Sequence, residues 1–169
     1  QSFYQALQLK FFVQLVLQIE SNGHSVTLGR VDQYLYPFYA EDYAAGRITP
    51  EFAMELLENT WVKLVSFLKI RSWSHSRFSA GSPLYQNVTI GGQTRDGSDA
   101  VNELSYLILR SVGETFLKLE DKVIQVAGST DSLPISKKIA ERFPTNWELS
   151  TARATTVVRF LQEEVGVPG

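Results

Sequence analysis

Cysteine is absent from this sequence of 169 residues, and histidine occurs only at His24 and His75. Without a thiol these residues form no disulfide bond, thiolate metal site, cysteine nucleophile or thiyl radical. Two histidines are also too few for a multi-histidine metal centre. The sequence therefore predicts neither a metal site nor a resident cofactor.

A basic surplus is also lacking, because 16 lysines and arginines stand against 18 acidic residues and the net charge is -2. Nucleic acid is then a poor candidate for a partner, since its backbone is held by a basic surface. The most apolar run, ALQLKFFVQLVLQIE, is interrupted by Lys10 and three glutamines. A membrane span needs about 20 mostly apolar residues. We expect instead a helix that is buried on more than one side, and no membrane span.

What is present is 44% hydrophobic residues, enough for one domain or two small ones. The start at Gln1, without methionine, is typical of a piece of something longer. Hydrophobic periodicity predicts a helix-dominated α/β fold with about four long helices. The helical segments are expected at 2–20, 32–45 with an interruption at Pro37, 48–71, 98–119 and 146–164. Strands near 87–91 and 122–128 flank one helix, and such a crossover unit is expected to pair its strands in parallel.

Two helices have well-marked apolar stripes. Thr49 and Pro50 are typical of a helix start, and Gly46 is typical of the end of the preceding helix. The stripe that follows is Leu57, Trp61, Leu64, Val65 and Leu68. A second stripe comes after a cap at Ser98 or Asp99, and it consists of Val101, Leu104, Ile108, Val112, Phe116 and Leu119. It stays in phase across Gly113, which costs about 1 kcal/mol relative to alanine without breaking the helix.

Three segments of the first 111 residues carry a family resemblance: QIESNGHSVTLGRVDQYLYPFY, GRITPEFAMELLENTWVK and GSPLYQNVTIGGQTRDGSDAVNELSYLILR. Through them residues 1–111 resemble the glycyl radical enzymes of the pyruvate formate-lyase type, close to the dehydratases. The resemblance implies a glycyl radical that passes to a cysteine inside a barrel, where the thiyl takes a hydrogen atom from the substrate. It also implies that His24 and Ser25 line the substrate pocket and bind diol hydroxyls. Without the resemblance, such a pair after a helix is more often a loop cap.

This sequence departs from the family's pattern at the catalytic centre. It has no cysteine, it shows no glycyl-radical motif of the RVxGY kind, and most of the barrel is missing. We therefore expect no catalytic residue and no enzyme activity. The function that the resemblance still predicts is weak binding of a small diol at His24 and Ser25.

The last third carries DKVIQVAGSTDSLPIS and RFPTNWELSTARATTVVRFLQEEVGVP. Residues 112–169 thereby resemble the OmpA-like, peptidoglycan-binding domain of the MotB kind. The resemblance implies binding of the peptide stem of peptidoglycan. Asp131 would meet the ammonium of diaminopimelate, Arg153 would grip its carboxylate in a two-pronged fashion, and Asn146 would order the loop and cap the helix. Ser129 stands where the family commonly has histidine, and part of the family's domain is missing.

Simpler roles for the same side chains stay open. Asp131 can be a turn residue, Arg153 can lie on a solvated helix face, and a salt bridge between them would use both without a ligand.

The whole sequence is interpreted as a chimera of fragments 1–111 and 112–169, packed as one globule and joined by a helix at about 98–119. Localisation stays open, because the first family is cytoplasmic and the second periplasmic. Three functions are weighed: a catalytically silent glycyl radical enzyme fragment, a peptidoglycan-binding module, and a scaffold without evolved activity. We favour the silent fragment acting as a scaffold, with peptidoglycan binding as the alternative.

Overall fold

A computed structural model describes residues 1–21, 26–67, 72–74, 77, 87–118, 124–130, 135 and 137–168. The chain divides into two compact units, Gln1–Ser111 and Val112–Gly169. Five helices of 14 to 18 residues dominate the described part. They are α1 (Phe3–Glu20), α2 (Val31–Ala44), α3 (Pro50–Val65), α4 (Glu103–Leu117) and α6 (Asn146–Phe160), with a short α5 (Lys137–Ala140) and a π-helical turn at Leu161–Val165.

The predicted strand–helix–strand unit is not present among the described residues, so the α/β prediction is wrong. Residues 124–130 adopt no regular structure, and 122–123 lie outside the described residues. The first predicted strand shortens to β2 (Val88–Thr89), which pairs in parallel with β1 (Gly29–Arg30). A strand is stabilised only by its partner, and residues 124–130 have no ladder to join in the described chain.

The start of α3 confirms its predicted signals. Thr49 is the N-cap, its hydroxyl accepts a hydrogen bond from the Phe52 amide at 3.2 Å, and Pro50 is the first helical residue. In the predicted stripe, Leu57, Trp61 and Leu64 are buried. Val65 is half exposed, which is contrary to the prediction, and Leu68 lies outside the described residues.

The interruption predicted at Pro37 is wrong, because α2 runs through it. A proline removes one backbone hydrogen bond from a helix. Burial of Leu35 and Tyr39, on either side of it, holds the helix against that loss. The predicted end is confirmed: Gly46 follows α2 with φ +66°, in the left-handed region where glycine is favoured.

The core of the first unit forms where α1, α2, α3 and the start of α4 meet. Its centre holds fully buried side chains from each of these helices: Phe3, Leu35, Leu57, Leu104 and Ile108. The buried indole of Trp61 donates a hydrogen bond to the Ser111 hydroxyl at 2.8 Å, which satisfies its polar edge inside the core.

Helix α1 departs from its predicted burial on more than one side. Its described neighbours cover one face, where Gln14 and Gln18 are fully buried. The opposite face exposes a stripe of apolar side chains at helical spacing: Leu9, Phe12, Val13, Val16, Leu17 and Ile19. In the part of the chain that the structure describes, no helix is both long and apolar enough to cross a membrane.

Helix α4 runs without interruption through Gly113, but it begins later than residue 98. The predicted caps Ser98 and Asp99 both precede it, and Asp99 forms an antiparallel bridge with Gln93. Asn102 caps the helix instead, since its side-chain oxygen accepts from the Ser105 amide at 3.1 Å and the Ser105 hydroxyl accepts from the Asn102 amide at 3.1 Å. Gly113 fits closely against the π-helical turn, where a Cβ would lie 2.8 Å from Cγ1 of Val165.

Candidate functional site

The two predicted pocket residues of the first unit, His24 and Ser25, lie outside the described residues. Helix α1 ends before them, with Ser21 as its C-cap. The described chain resumes at Val26, whose carbonyl accepts a hydrogen bond from the buried Gln14 side chain at 3.1 Å. Diol binding at this pair stays a prediction.

In the second unit the structure brings α6 against the loop 124–130. Arg153, on α6, donates a hydrogen bond from Nη1 to the Ser129 carbonyl at 3.0 Å. The predicted partner Asp131 lies outside the described residues and is two positions further along the chain than Ser129. One of the five guanidinium N–H groups is used in this bond, so Arg153 keeps donors for a ligand.

A close backbone approach holds the same loop in place. A Cβ built on Gly128 would lie 1.9 Å from the Ser150 carbonyl oxygen and 2.7 Å from its carbon. These are backbone atoms of α6, and they cannot swing aside as a flexible side chain does. Only glycine therefore permits this contact. It places Ser129, the next residue, within reach of Arg153.

The predicted cap of α6 is corrected by one residue. Thr145 is the N-cap, and its hydroxyl accepts from the Trp147 amide at 3.1 Å. Glu148 closes the capping box by accepting from the Thr145 amide at 2.9 Å. Hydrogen bonds from the Thr145 hydroxyl and backbone amides hold the pKa of Glu148 below its usual range. Asn146, the predicted cap, is the first helical residue and lies seven positions before Arg153, hence on the same face.

A shallow, open depression of about 340 Å³ lies along a neighbouring face of α6. Its lining is Gly128, Ser150, Thr151, Ala154, Thr155 and Val158. Trp147 belongs to the same helical stripe at its N-terminal end and is 82% exposed. The signal in the sequence was a tryptophan followed by small and hydroxyl residues at steps of three and four.

The first unit contains a buried polar cluster that the sequence analysis also missed. Asp32, fully buried on α2, accepts hydrogen bonds from the Gly91 amide at 2.6 Å and the Ser105 hydroxyl at 2.5 Å. The Asn102 side chain donates to the Asp32 carbonyl at 3.2 Å. The cluster ties the glycine-rich segment after β2 to α2 and α4.

A second buried carboxylate joins the N-terminus of α1 to the end of α2. Asp42 accepts from the Phe3 amide at 2.7 Å and from Nε of Arg47 at 2.7 Å. The Phe3 amide, followed by Arg47, lowers the pKa of Asp42 although burial opposes this. Within the described ranges, no three acidic or histidine side chains gather into a group that could hold a metal ion.

Comparison with known families identifies both parts of the chain. The sequence profile of the pyruvate formate lyase-like family matches residues 1–127, and that of the OmpA family matches residues 95–169. The chain belongs to the pyruvate formate lyase-like family, and it joins this sequence to an OmpA-family segment. The resemblances inferred from the motifs are thereby confirmed, and the two matches overlap where α4 lies.

Similar proteins include the probable dehydratase YbiW of Escherichia coli, 62% identical over 117 residues. That match covers 67% of this chain and 14% of YbiW. The isethionate sulfite-lyase of Bilophila wadsworthia is 40% identical, covering 73% of this chain and 15% of that protein. The chain thus spans a small part of these dehydratases and lyases and corresponds to a glycyl radical enzyme segment.

Solved structures agree with this assignment. A protein of 1,2-propanediol dehydration from Roseburia inulinivorans matches with a TM-score of 0.66 and 45% identity, over 69% of this chain and 15% of that one. The B12-independent glycerol dehydratase of Clostridium butyricum, solved with glycerol bound, matches with a TM-score of 0.63 and 42% identity. That match covers 68% of this chain and 14% of the dehydratase.

Proposed function

We propose that the second unit binds the peptide stem of peptidoglycan non-covalently, with Arg153 holding a carboxylate of diaminopimelate. The supporting observation is the hydrogen bond from Arg153 to the Ser129 carbonyl. It fixes a guanidinium beside the loop that leads into Asp131, so the cationic and anionic groups of the OmpA motif belong to adjoining segments. Diaminopimelate carries an ammonium and a carboxylate at its side-chain end, and this pair of charges complements them.

The same hydrogen bond bears on the alternative roles of Arg153, which are a position on a solvated helix face and a surface ion pair. A guanidinium on a solvated helix face has no fixed position, whereas this one is tethered to the loop by a bond of 3.0 Å. Arginine forms planar, two-pronged bonds with carboxylates and gives up less conformational entropy than lysine for each bond. An arginine bonded to the loop 124–130 therefore supports ligand binding at this end of α6.

Retention on purified cell wall tests this function. The full chain is compared with Arg153→Ala, Asp131→Ala and Arg159→Ala. Arg159 is an exposed arginine in the last turn of the same helix, so its removal controls for general charge effects. We expect wild type and Arg159→Ala to be retained and the other two variants to be lost. Equal retention of all four proteins contradicts the proposal.

We propose further that the first unit does no radical chemistry by itself and acts as a folded scaffold. Its family's reaction needs a thiyl radical, and the 169 residues contain no thiol to form one. The buried cluster around Asp32 and the core centred on Leu57 support a stable fold without a catalytic role.

The predicted diol binding at His24 and Ser25 is tested separately. Weak, saturable binding of glycerol or 1,2-propanediol that disappears in His24→Ala supports a residual pocket, and absence of binding in wild type contradicts it. Conversion of either diol to a carbonyl product by the chain contradicts catalytic silence. If the chain binds neither the diols nor the cell wall, only the scaffold function remains supported.

A further inference from the structure

The exposed stripe of α1 is a contiguous apolar surface on a helix that is fixed in the fold. Six of its side chains are 43% to 68% open to solvent: Leu9, Phe12, Val13, Val16, Leu17 and Ile19. The opposite face is anchored, because Gln14 and Gln18 are fully buried. The Gln14 side chain donates to the Val26 carbonyl at 3.1 Å, so α1 cannot turn the stripe inward without breaking that bond.

The exposed side chains of α1 form two parallel ridges. They follow the i, i+4 rows of the helix: Gln8, Phe12, Val16 and Glu20 in one ridge, and Leu9, Val13 and Leu17 in the other. Ridges of this kind pack into the grooves between the same ridges of a second helix, at a crossing angle of about −50°. The apolar centre and the polar ends, Gln8 and Glu20, match the core and rim of a protein interface.

The chemistry of the stripe favours a second copy of the same chain as its partner. A symmetric pair sets each surface against itself, so a charge at the centre would face its own like charge. The six apolar positions carry no charge, and Glu20 lies at the end of α1, where an antiparallel pair keeps its two copies apart. A membrane is less suitable, because helices that lie on membranes carry several lysines or arginines, and α1 has only Lys10.

The area of the stripe is sufficient for a weak but specific dimer. A large apolar side chain carries about 150–250 Å² of surface, so six of them about half exposed present on the order of 600 Å² per copy. Patches of this size on a monomer often mark an interaction site. Covering the stripe in both copies would bury roughly 1,200 Å², the lower limit for specific protein interfaces.

We propose that two copies of this chain associate through antiparallel packing of their α1 stripes, with Phe12 and Val13 next to the two-fold axis. Pairing about this point sets Leu9 against Val16 of the partner subunit. The Phe12 ring is held in advance, because it packs edge-on against Phe11 with ring centroids 5.9 Å apart. Antiparallel helices also bring opposite ends of their dipoles together. The interface involves only the first unit, so it does not depend on peptidoglycan binding by the second.

Sedimentation of the full chain at increasing concentration tests the association. We expect the average mass to rise from 19.0 kDa towards twice that value over about 1–100 µM, as suits an interface of this size. Val16→Lys sets two lysines into the interface and should raise the dimer Kd at least about tenfold. The control is Val62→Lys, at a valine of α3 that is 53% exposed, and it should dimerise like wild type. A monomeric wild type, or equal weakening by both changes, overturns the proposal.

The absence of cysteine allows a second test without background. Val13→Cys places one thiol per chain beside the axis, where two copies come within the Cα separation of about 4.4–6.8 Å that a disulfide needs. Mild oxidation should link Val13→Cys into a covalent dimer, whereas Ile19→Cys, at the end of the stripe, and Val62→Cys should stay largely unlinked. Equal linking of all three overturns the interface, and preferred linking of Ile19→Cys overturns its antiparallel direction. A monomeric chain that binds phosphatidylglycerol vesicles through the stripe overturns the dimer in favour of a membrane surface.

Discussion

At the scale of single residues, the first unit depends on two buried carboxylates. Asp32 and Asp42 are both almost fully buried, and each accepts a hydrogen bond from a backbone amide of a distant segment. A buried carboxylate is tolerated only where such donors replace its lost water. Both residues therefore connect parts of the chain that are far apart in sequence.

Replacing Asp32 with alanine should destabilise the first unit by about 3 kcal/mol. The change leaves the Gly91 amide and the Ser105 hydroxyl without their acceptor, and each buried bond to a charged group is worth about 1.5–3 kcal/mol. Urea unfolding followed by circular dichroism measures the loss. Asp96→Ala removes an exposed aspartate from the segment that contains Gly91, and it should lower the free energy of unfolding far less. Equal effects of the two changes contradict the structural role of Asp32.

The pKa of Asp42 predicts how stability depends on pH. The usual aspartate pKa is about 3.9, and that of Asp42 is lowered, so folding favours its charged form. This contribution is complete above the unfolded-state pKa and is lost as the pH falls through the folded-state pKa. Thermal unfolding of wild type should therefore show a loss of Tm below about pH 4 that is smaller in Asp42→Asn.

Glu41→Gln provides the matched control for that experiment. Glu41 also contacts Arg47, at 3.1 Å, but its side chain is 69% exposed. An exposed ion pair contributes little, so the Tm curve of this variant should follow wild type. A curve for Asp42→Asn with the full acid loss of wild type contradicts the assignment.

At the scale of elements, the loop 124–130 and helix α6 form the part of the second unit that the proposed function needs. The contact between Gly128 and Ser150 holds the loop, and Arg153 fastens it. Neither contact depends on a regular strand, so the loop is held against α6 although residues 124–130 form none.

Gly128→Ala should displace this loop and weaken binding of a diaminopimelate-containing peptide by at least about tenfold. The new Cβ would overlap a backbone carbonyl, so the loop must move and the Arg153 bond is lost. Ser129→Ala is the matched control, because Arg153 bonds to its carbonyl and not to its hydroxyl. Calorimetric titration of both variants decides the point, and unchanged affinity in Gly128→Ala contradicts it.

Local signals predicted the elements well and their surroundings poorly. The cap at Thr49, the turn at Gly46 and the stripe of Leu57, Trp61 and Leu64 depend on neighbours within one helical turn, and all are confirmed. The strand at 122–128 failed because a β-branched run reports strand preference but not the presence of a pairing partner.

The candidate site divides in the same way. Its arginine was predicted from a motif, whereas the close contact between Gly128 and Ser150 depends on how a loop meets a helix. The apolar pattern of α1 predicted a helix, but it did not predict which faces of that helix are buried. Its exposed stripe, with Val16 at 63% and Ile19 at 68%, shows that apolar residues on all faces do not ensure burial on all sides.

At the scale of the whole molecule, the chain combines two families whose activities have different requirements. The glycyl radical reaction needs a cysteine that these residues lack, and the segment spans 14% of YbiW. Non-covalent recognition of a peptide needs only a few placed charges, and the second unit supplies an anchored one in Arg153.

The most direct test of this account is the binding of two stem peptides that differ at one residue, diaminopimelate in one and lysine in the other. Both offer an ammonium, but only diaminopimelate adds the carboxylate assigned to Arg153. The account predicts that wild type prefers the diaminopimelate peptide by at least about tenfold, the worth of one charge-assisted bond, and that Arg153→Ala binds both equally weakly. Equal affinity of wild type for the two peptides contradicts it.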